Sequence, residues 1–428
     1  MLTDLALVGA HVQSQAGVRR CCAASTTTVR PCPAETVVVQ SCQVCEGRPN
    51  RHFLSGLTHC VLDCIQSLDA SVEASIIKKE VYVKAGIIAG ALLCLSCNVS
   101  SAADWWPAKV YNQGDGAQAS FDYVPLDKAE KKWNICVLFP HVKDSMWVAA
   151  AYGAVGEAKR LGVKLTLLQA GGYENLPKQI SQFDDCVAAK SDAIITGAIS
   201  EAGMAKKFEE GLAKNIPQIM LINPVADAPV TAKVSVDYPV LGSLAANYIL
   251  KNYTGKEISV SAFPGPQGSG WAEGFYKGFE ETLTGSSAKI VDTKWGDTGV
   301  AVQLKLVEDS LETYPDVSVL WGAPPAVEAA VGAVDNAGLS GKVDLVSSYE
   351  NQAMLDLLQK GDVKAFPTLA PVLEARIAID TAVRALEGKE FHKAVMIVPE
   401  MLSKDNVDKT NLDNVFAPRD WQPVYSVD

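Results

Sequence analysis

Past residue 103 the chain has little cysteine, little histidine and little positive charge. Two cysteines, Cys136 and Cys186, and two histidines, His141 and His392, serve the remaining 325 residues. That scarcity leaves no Cys/His cluster with the spacing of a metal site. G-x-S-x-G, H-E-x-x-H and the Lys-Ser/Thr ending of a phosphate loop are absent too, and with them the signatures of common hydrolases, zincins and P-loop proteins. Residues 104–428 hold 30 Lys and Arg against 42 Asp and Glu, a net charge of −12. Such a surface repels phosphate backbones, and no helix-turn-helix precedes the first strand, so nucleic acid is excluded as a partner. His141, in the loop FPHVKDS, is the sole acid or base candidate and reads as a solvent-facing or hinge residue. A binding protein is expected, not an enzyme, and no cofactor.

What is present is organised around WNICVLFPHVKDSMWVAAAYGAVGEAKRLGVKLTLLQAGGYENL, residues 133–176. Ile135–Phe139 is an apolar run too short for an ordinary helix and right for a strand buried on both faces. From Met146 on, Trp147, Ala150, Ala151, Ala154, Val155 and Ala158 recur at three and four, the stripe of a helix lying on a sheet. Gly162 ends that helix, Val163–Leu168 is a second strand, and Gly171-Gly172 turn the chain into Tyr173. In an open parallel sheet, ligands sit outside the carboxyl ends of the strands. Asp144, Trp147 and Tyr173 therefore fall on a candidate rim. Asp144 also precedes the helix as an N-cap would, and Trp147 has a competing assignment as core.

The alternation continues. Strands are predicted at Ala193–Gly197, Ile219–Ile222, Val234–Val236, Ile258–Phe263, Ile290–Asp292, Val317–Trp321, Leu345–Ser347 and Val363–Phe366. Helices are predicted at Pro177–Lys190, Met204–Asn215, from Leu241, and over Ala272–Leu283, Ala301–Tyr314, Ala326–Ala337, Gln352–Lys360 and Leu373–Leu386. The fold class is α/β, two doubly wound βα lobes joined by a three-segment hinge near Asp237, Pro367 and Lys389. The first lobe is expected over 133–236 plus about 370–390, the second over 237–366 plus about 391–428, with an N-terminal arm at 104–132. Gly265–Gly274 lacks G-x-G-x-x-G spacing and reads as a rim loop of the second lobe.

Nine of the eleven cysteines lie before residue 104. Residues 78–103 read as a signal peptide: Lys78, Lys79 and Lys84, an apolar core at Ala85–Leu95, then Ser101-Ala102-Ala103 before Asp104. Cys94-Leu-Ser-Cys97 lacks the Leu that a lipidation signal wants three residues before its Cys. Residues 1–77 show no periodicity, and Cys42, Cys45, His59, Cys60 and Cys64 match no standard zinc spacing. The expectation is a disordered, non-native extension upstream of a true start at a non-Met codon such as Val72 or Ile76. For an exported chain, Cys136 in the first strand and Cys186 in the following helix invite a disulfide, with two buried thiols the alternative.

The signal peptide, the two βα lobes, WNICVLFPHVKDSMWVAAAYG, LQAGGYENLPKQISQFDDC, FPGPQGSGWAEGF and the closing WQPVY resemble the TorT family of periplasmic type I binding proteins. The resemblance spans nearly all of 104–428. It implies a periplasmic protein that binds trimethylamine N-oxide (TMAO) and signals it to the periplasmic domain of a TorS-like sensor histidine kinase, inducing TMAO respiration. It carries Asp144, Trp147 and Tyr173 over as pocket residues and puts the aromatic Tyr238 at the first crossover. Met146 departs from the Tyr expected there. By looser analogy with sugar-binding relatives, Trp271 and Tyr349 stand where those proteins place a ligand-contacting Arg and Asp. Trp147, Tyr173, Tyr238 and Trp271 would wall a trimethylammonium group, each ring contributing about 0.5–2 kcal/mol, while a Tyr hydroxyl or backbone N–H met the oxide and Asp144 faced the methyl groups. The alternative is a substrate-binding protein of an ABC transporter for a sugar, betaine or other small amine.

Overall fold

In the computed structural model, which describes residues 105–113, 119–225 and 227–428, the chain begins with β1 (Ala108–Asn112), β2 (Ala119–Tyr123), β3 (Asn134–Phe139), α1 (Ser145–Leu161), β4 (Lys164–Gln169), α2 (Leu176–Ala188), β5 (Ala193–Thr196), α3 (Glu201–Ala213), β6 (Gln218–Leu221) and β7 (Ala232–Ser235). There follow α4 (Tyr238–Asn252), β8 (Ile258–Phe263), α5 (Trp271–Leu283), β9 (Ala288–Thr293), α6 (Val300–Thr313), β10 (Val319–Gly322), α7 (Pro324–Asn336), β11 (Asp344–Ser347), α8 (Gln352–Lys360) and β12 (Val363–Pro367). The chain closes with α9 (Pro371–Leu386), β13 (Ala394–Ile397), β14 (Met401–Ser403) and β15 (Ser426–Val427). The extension expected at 1–77, the signal peptide expected at 78–103 and the cysteines between Cys42 and Cys64 lie outside the described residues.

β3 shows why its sequence is an unbroken apolar run. It is flanked in parallel by β4 and β5 and is covered by helices on both faces. Ile135, Val137 and Phe139 pack with Trp147, Ala150 and Ala154 of α1, while Cys136 and Leu138 pack with Phe183 and Cys186 of α2. Successive side chains of a strand point to opposite faces, so both sets must be apolar. On the α2 face Cys136 and Cys186 form a disulfide, their Cα atoms 6.0 Å apart. Asp144 caps α1 by accepting from the Met146 amide, and Gly162 ends it at φ 77, the left-handed stop a helix C-terminus favours.

The first sheet has the order β15-β4-β3-β5-β6-β7-β13-β1-β2 and the second β14-β12-β11-β10-β8-β9. Within each, the strands that carry βα units are parallel; antiparallel strands close both edges of the first sheet and the β14 edge of the second, whose other edge is the parallel β9. These are the two doubly wound lobes expected. The chain passes between them at 236–237, 368–370 and 398–400, and again in the tail. Three details differ from expectation. β1 and β2, in the stretch expected as an N-terminal arm, extend the first sheet. β13 and β15, expected with the second lobe, pair with β7 and β4 in the first; strands of four and two residues leave too short a pattern to assign. The third passage consequently lies beyond Ile397, not at Lys389.

Candidate functional site

The parallel strands of both lobes aim their carboxyl ends at the seam between them, and the loops there supply the site. In the first lobe, the β3–α1 connection brings His141, Asp144 and Trp147, the turn after β4 brings Tyr173, and the end of β6 brings Ile222 and Asn223. In the second, Tyr238 opens α4, Trp271 and Phe275 lie on the first turns of α5, Thr298 precedes α6, and Tyr349 follows β11. All of these border one cavity. Its volume is about 10 Å³, roughly the room one water needs, so the lobes are closed upon it.

Two glycines explain how the tryptophans reach the seam. A Cβ at Gly197, beyond β5, would stand 2.5 Å from Trp147 Cη2, and one at Gly265, after β8, 2.6 Å from Trp271 Cη2. Only a residue without a side chain lets either indole lie there, and the φ of +120° at Gly265 is itself a conformation few other residues adopt. Tyr173 then meets Trp271 across the seam at 5.9 Å between ring centres, and Trp271 meets Tyr349 at 6.0 Å, edge to face. Behind them Phe275 stacks on Tyr349 at 5.8 Å and receives Tyr238 edge-on at 5.0 Å. Ile222 sits at φ 61, a strained setting for a β-branched residue. Its carbonyl accepts from the hydroxyls of Ser235 at 2.6 Å and Tyr238 at 2.8 Å.

The polar groups of the wall are mostly spoken for. Asp144 Oδ1 accepts from the Met146 amide at 3.0 Å and from Asn351 Nδ2 at 3.1 Å, and its Oδ2 accepts from the Tyr349 hydroxyl at 2.9 Å. Asn223 Nδ2 donates to the Ala198 carbonyl at 2.7 Å and to the Tyr173 hydroxyl at 3.0 Å. Burial pushes the Tyr173, Tyr238 and Tyr349 phenols above their ordinary range, with Asp144 adding to the effect at Tyr173 and Tyr349 and Glu374 at Tyr238; all three are neutral hydroxyls. His141 is 2% exposed, and neither ring nitrogen has a hydrogen-bond partner. Burial holds its imidazole below the ordinary value, against the opposing pull of Asp144.

Every residue singled out in the sequence, Asp144, Trp147, Tyr173, Tyr238, Trp271 and Tyr349, borders this cavity. Trp147 is at once wall and core: it is 1% exposed and packs on Phe139 at 4.8 Å. Asp144 is not a free carboxylate awaiting methyl groups, since three donors already hold it. His141 is neither solvent-facing nor part of a hinge, because the β3–α1 loop folds it inward against Tyr173, ring centres 5.4 Å apart. Phe275, Asn223 and Thr298 were not singled out. Asn223 directly follows the predicted strand Ile219–Ile222 and precedes Pro224, a position at a strand's carboxyl end that the sequence could have offered; Phe275 reads as an ordinary apolar face position of α5.

Among the described residues no group of His, Cys, Asp and Glu is arranged to hold a metal ion, and no helix is long and apolar enough to cross a membrane. A family model described as a periplasmic binding protein domain matches residues 135–390. Periplasmic protein TorT of Escherichia coli O157:H7 is 31% identical over 302 residues, 71% of this chain and 86% of that protein. An ABC transporter solute-binding protein from Bradyrhizobium sp. BTAi1, solved with bound Bis-Tris, is 40% identical with a TM-score of 0.68, covering 76% of this chain and 100% of that one. A chain of the complex between the TorS sensor domain and TorT, solved in the presence of TMAO, is 25% identical with a TM-score of 0.64, covering 68% and 99%. With two doubly wound lobes closing on one aromatic cavity, the chain belongs to the periplasmic binding protein family, as a TorT-like member.

Proposed function

We propose that the protein binds trimethylamine N-oxide in the periplasm and signals its presence to the periplasmic domain of a TorS-like sensor histidine kinase, inducing TMAO respiration. The observation that carries this reading is the wall of the cavity, where aromatic rings from both lobes, Trp147 and Tyr173 from one and Tyr238, Trp271 and Tyr349 from the other, surround the space a ligand would take. Such rings attract a trimethylammonium group through their negative faces, about 0.5–2 kcal/mol each. A sugar would ask for free carboxylate and amide groups, whereas Asp144 and Asn223 are already committed to the protein. TMAO is larger than one water, so it enters as the second lobe moves off the first, and that movement is what a partner can sense.

A second reading is favoured by the Bradyrhizobium relative, an ABC transporter solute-binding protein solved with Bis-Tris: the same fold would hand a betaine, another small amine or a sugar to a permease. Calorimetric titration with TMAO, glycine betaine and ribose separates the ligands, and TMAO is expected to give the binding heat and the upward thermal shift. Silence toward TMAO, both alone and with the sensor domain present, counts against the first reading. Co-purification with a kinase periplasmic domain instead of a permease separates the roles.

A further inference from the structure

We propose that His141 recognises the oxygen end of the ligand, so that the cavity prefers methylated amines carrying a hydrogen-bond acceptor over quaternary ammonium ions that lack one. This inference rests on the TMAO reading of the same cavity and names the group that sets its selectivity.

The argument is an accounting of donors. A buried polar group without a partner is rare, yet both nitrogens of His141 are in that condition while the ring borders the cavity. It is held there by its neighbours, edge to face with Tyr173 at 5.4 Å and with Trp147 at 6.4 Å. The tyrosine hydroxyls, the obvious candidates in the sequence, are used elsewhere: Tyr238 donates to the Ile222 carbonyl at 2.8 Å and Tyr349 to Asp144 at 2.9 Å. Tyr173 is held by Asn223, from which it accepts at 3.0 Å and to which it donates at 3.5 Å. The other buried wall atom without a partner is Trp271 Nε1, on the opposite lobe. A neutral imidazole has one N–H to give, and burial keeps this one neutral. An oxide placed against it satisfies a donor that otherwise goes unpaired, whereas a methyl group in the same position leaves it unpaired. Discrimination by an unsatisfied buried donor is far stronger than discrimination by a methyl-sized difference in shape.

The test is calorimetry on wild-type protein, His141→Phe, His141→Gln and Tyr173→Phe with TMAO and with tetramethylammonium, which replaces the oxide by a methyl group. Wild type is expected to favour TMAO at least tenfold. His141→Phe should lose at least tenfold in TMAO affinity with tetramethylammonium affinity little changed, and His141→Gln, which keeps an N–H donor, should recover part of the preference. Thermal melts establish that each variant is folded, and the Gln variant carries the test if Phe is not accommodated. A folded His141→Phe that keeps the wild-type preference, or loss of that preference in Tyr173→Phe alone, overturns the role of His141 and leaves TMAO binding standing. Wild-type protein that binds neither compound overturns the functional reading and this inference with it.

Discussion

Asp144 of the first lobe accepts the Tyr349 hydroxyl of the second at 2.9 Å while its other oxygen caps α1. Close by, the Ser145 hydroxyl accepts from the Gln352 amide at 2.9 Å, so two successive residues of α1's start are tied to the start of α8. One carboxylate thus serves a helix and the seam at once. Loss of an N-cap costs about 0.5–2 kcal/mol, and a buried donor left unpaired about 1–3 kcal/mol.

Asp144→Ala should therefore lower unfolding free energy by about 2–4 kcal/mol, measured by urea titration. Asp144→Asn, which still caps but takes the acceptor from the Tyr349 hydroxyl, should be less destabilised than Asp144→Ala by the cap's share, about 0.5–2 kcal/mol. Equal losses in the two variants would mean that the cap contributes nothing and the seam everything.

Gly197→Ala isolates the seating of Trp147. The new Cβ would stand 2.5 Å from the indole, closer than atoms approach, and because β5 is a central strand of its sheet it is the ring that gives way, toward the cavity. Overpacking of this kind costs about 1–3 kcal/mol of stability, and the ligand affinity should fall by tenfold or more. The cleaner contrast is Trp147→Phe, which keeps the core filled. Trp147→Ala instead empties a fully buried site and should cost about 3–5 kcal/mol of stability, which would confound any binding measurement. Unchanged affinity in a folded Gly197→Ala would remove Trp147 from the site.

The contrast between Trp147 and His141 shows how far residue order alone reaches. Trp147 and Tyr173 were legible because they follow strand ends within one βα unit, where a parallel sheet presents ligands regardless of tertiary detail. His141 stands in the same loop, but a lone imidazole beside Lys143 gives no sign of whether the loop turns it in or out; that is decided by packing against Tyr173, a residue of another connection. The βα elements were legible in the same way, from apolar runs and helical stripes. The addresses of β13 and β15 were not, since pairing partners for strands of four and two residues are set by the whole sheet. Nor does any pattern in the sequence mark that Asp144 is spent on Tyr349 and Asn351, two residues more than two hundred positions away.

The passage at 368–370 carries a pH dependence. Glu350 is fully buried and accepts from the Leu369 amide at 2.7 Å and the Ala370 amide at 2.8 Å; burial nevertheless pushes its carboxyl from 4.5 up to about 8. Glu374, one turn into α9, is also fully buried with neither oxygen hydrogen-bonded, and burial together with Glu350 drives it upward too. For a carboxyl raised on folding, the native state keeps a proton that the unfolded chain releases. Stability is then full below about pH 4.5 and declines as pH rises toward 8, with a slope of up to about 1.4 kcal/mol per unit for each such group. Glu350→Gln cannot ionise, so between pH 5 and 8 its unfolding free energy should decline less than that of wild type, the gap amounting to about 3–4 kcal/mol. Glu374→Gln should flatten the profile in the same direction. Urea titrations at several pH values across this range measure it, and parallel profiles for wild type and Glu350→Gln would show that Glu350 is already ionised in the folded protein.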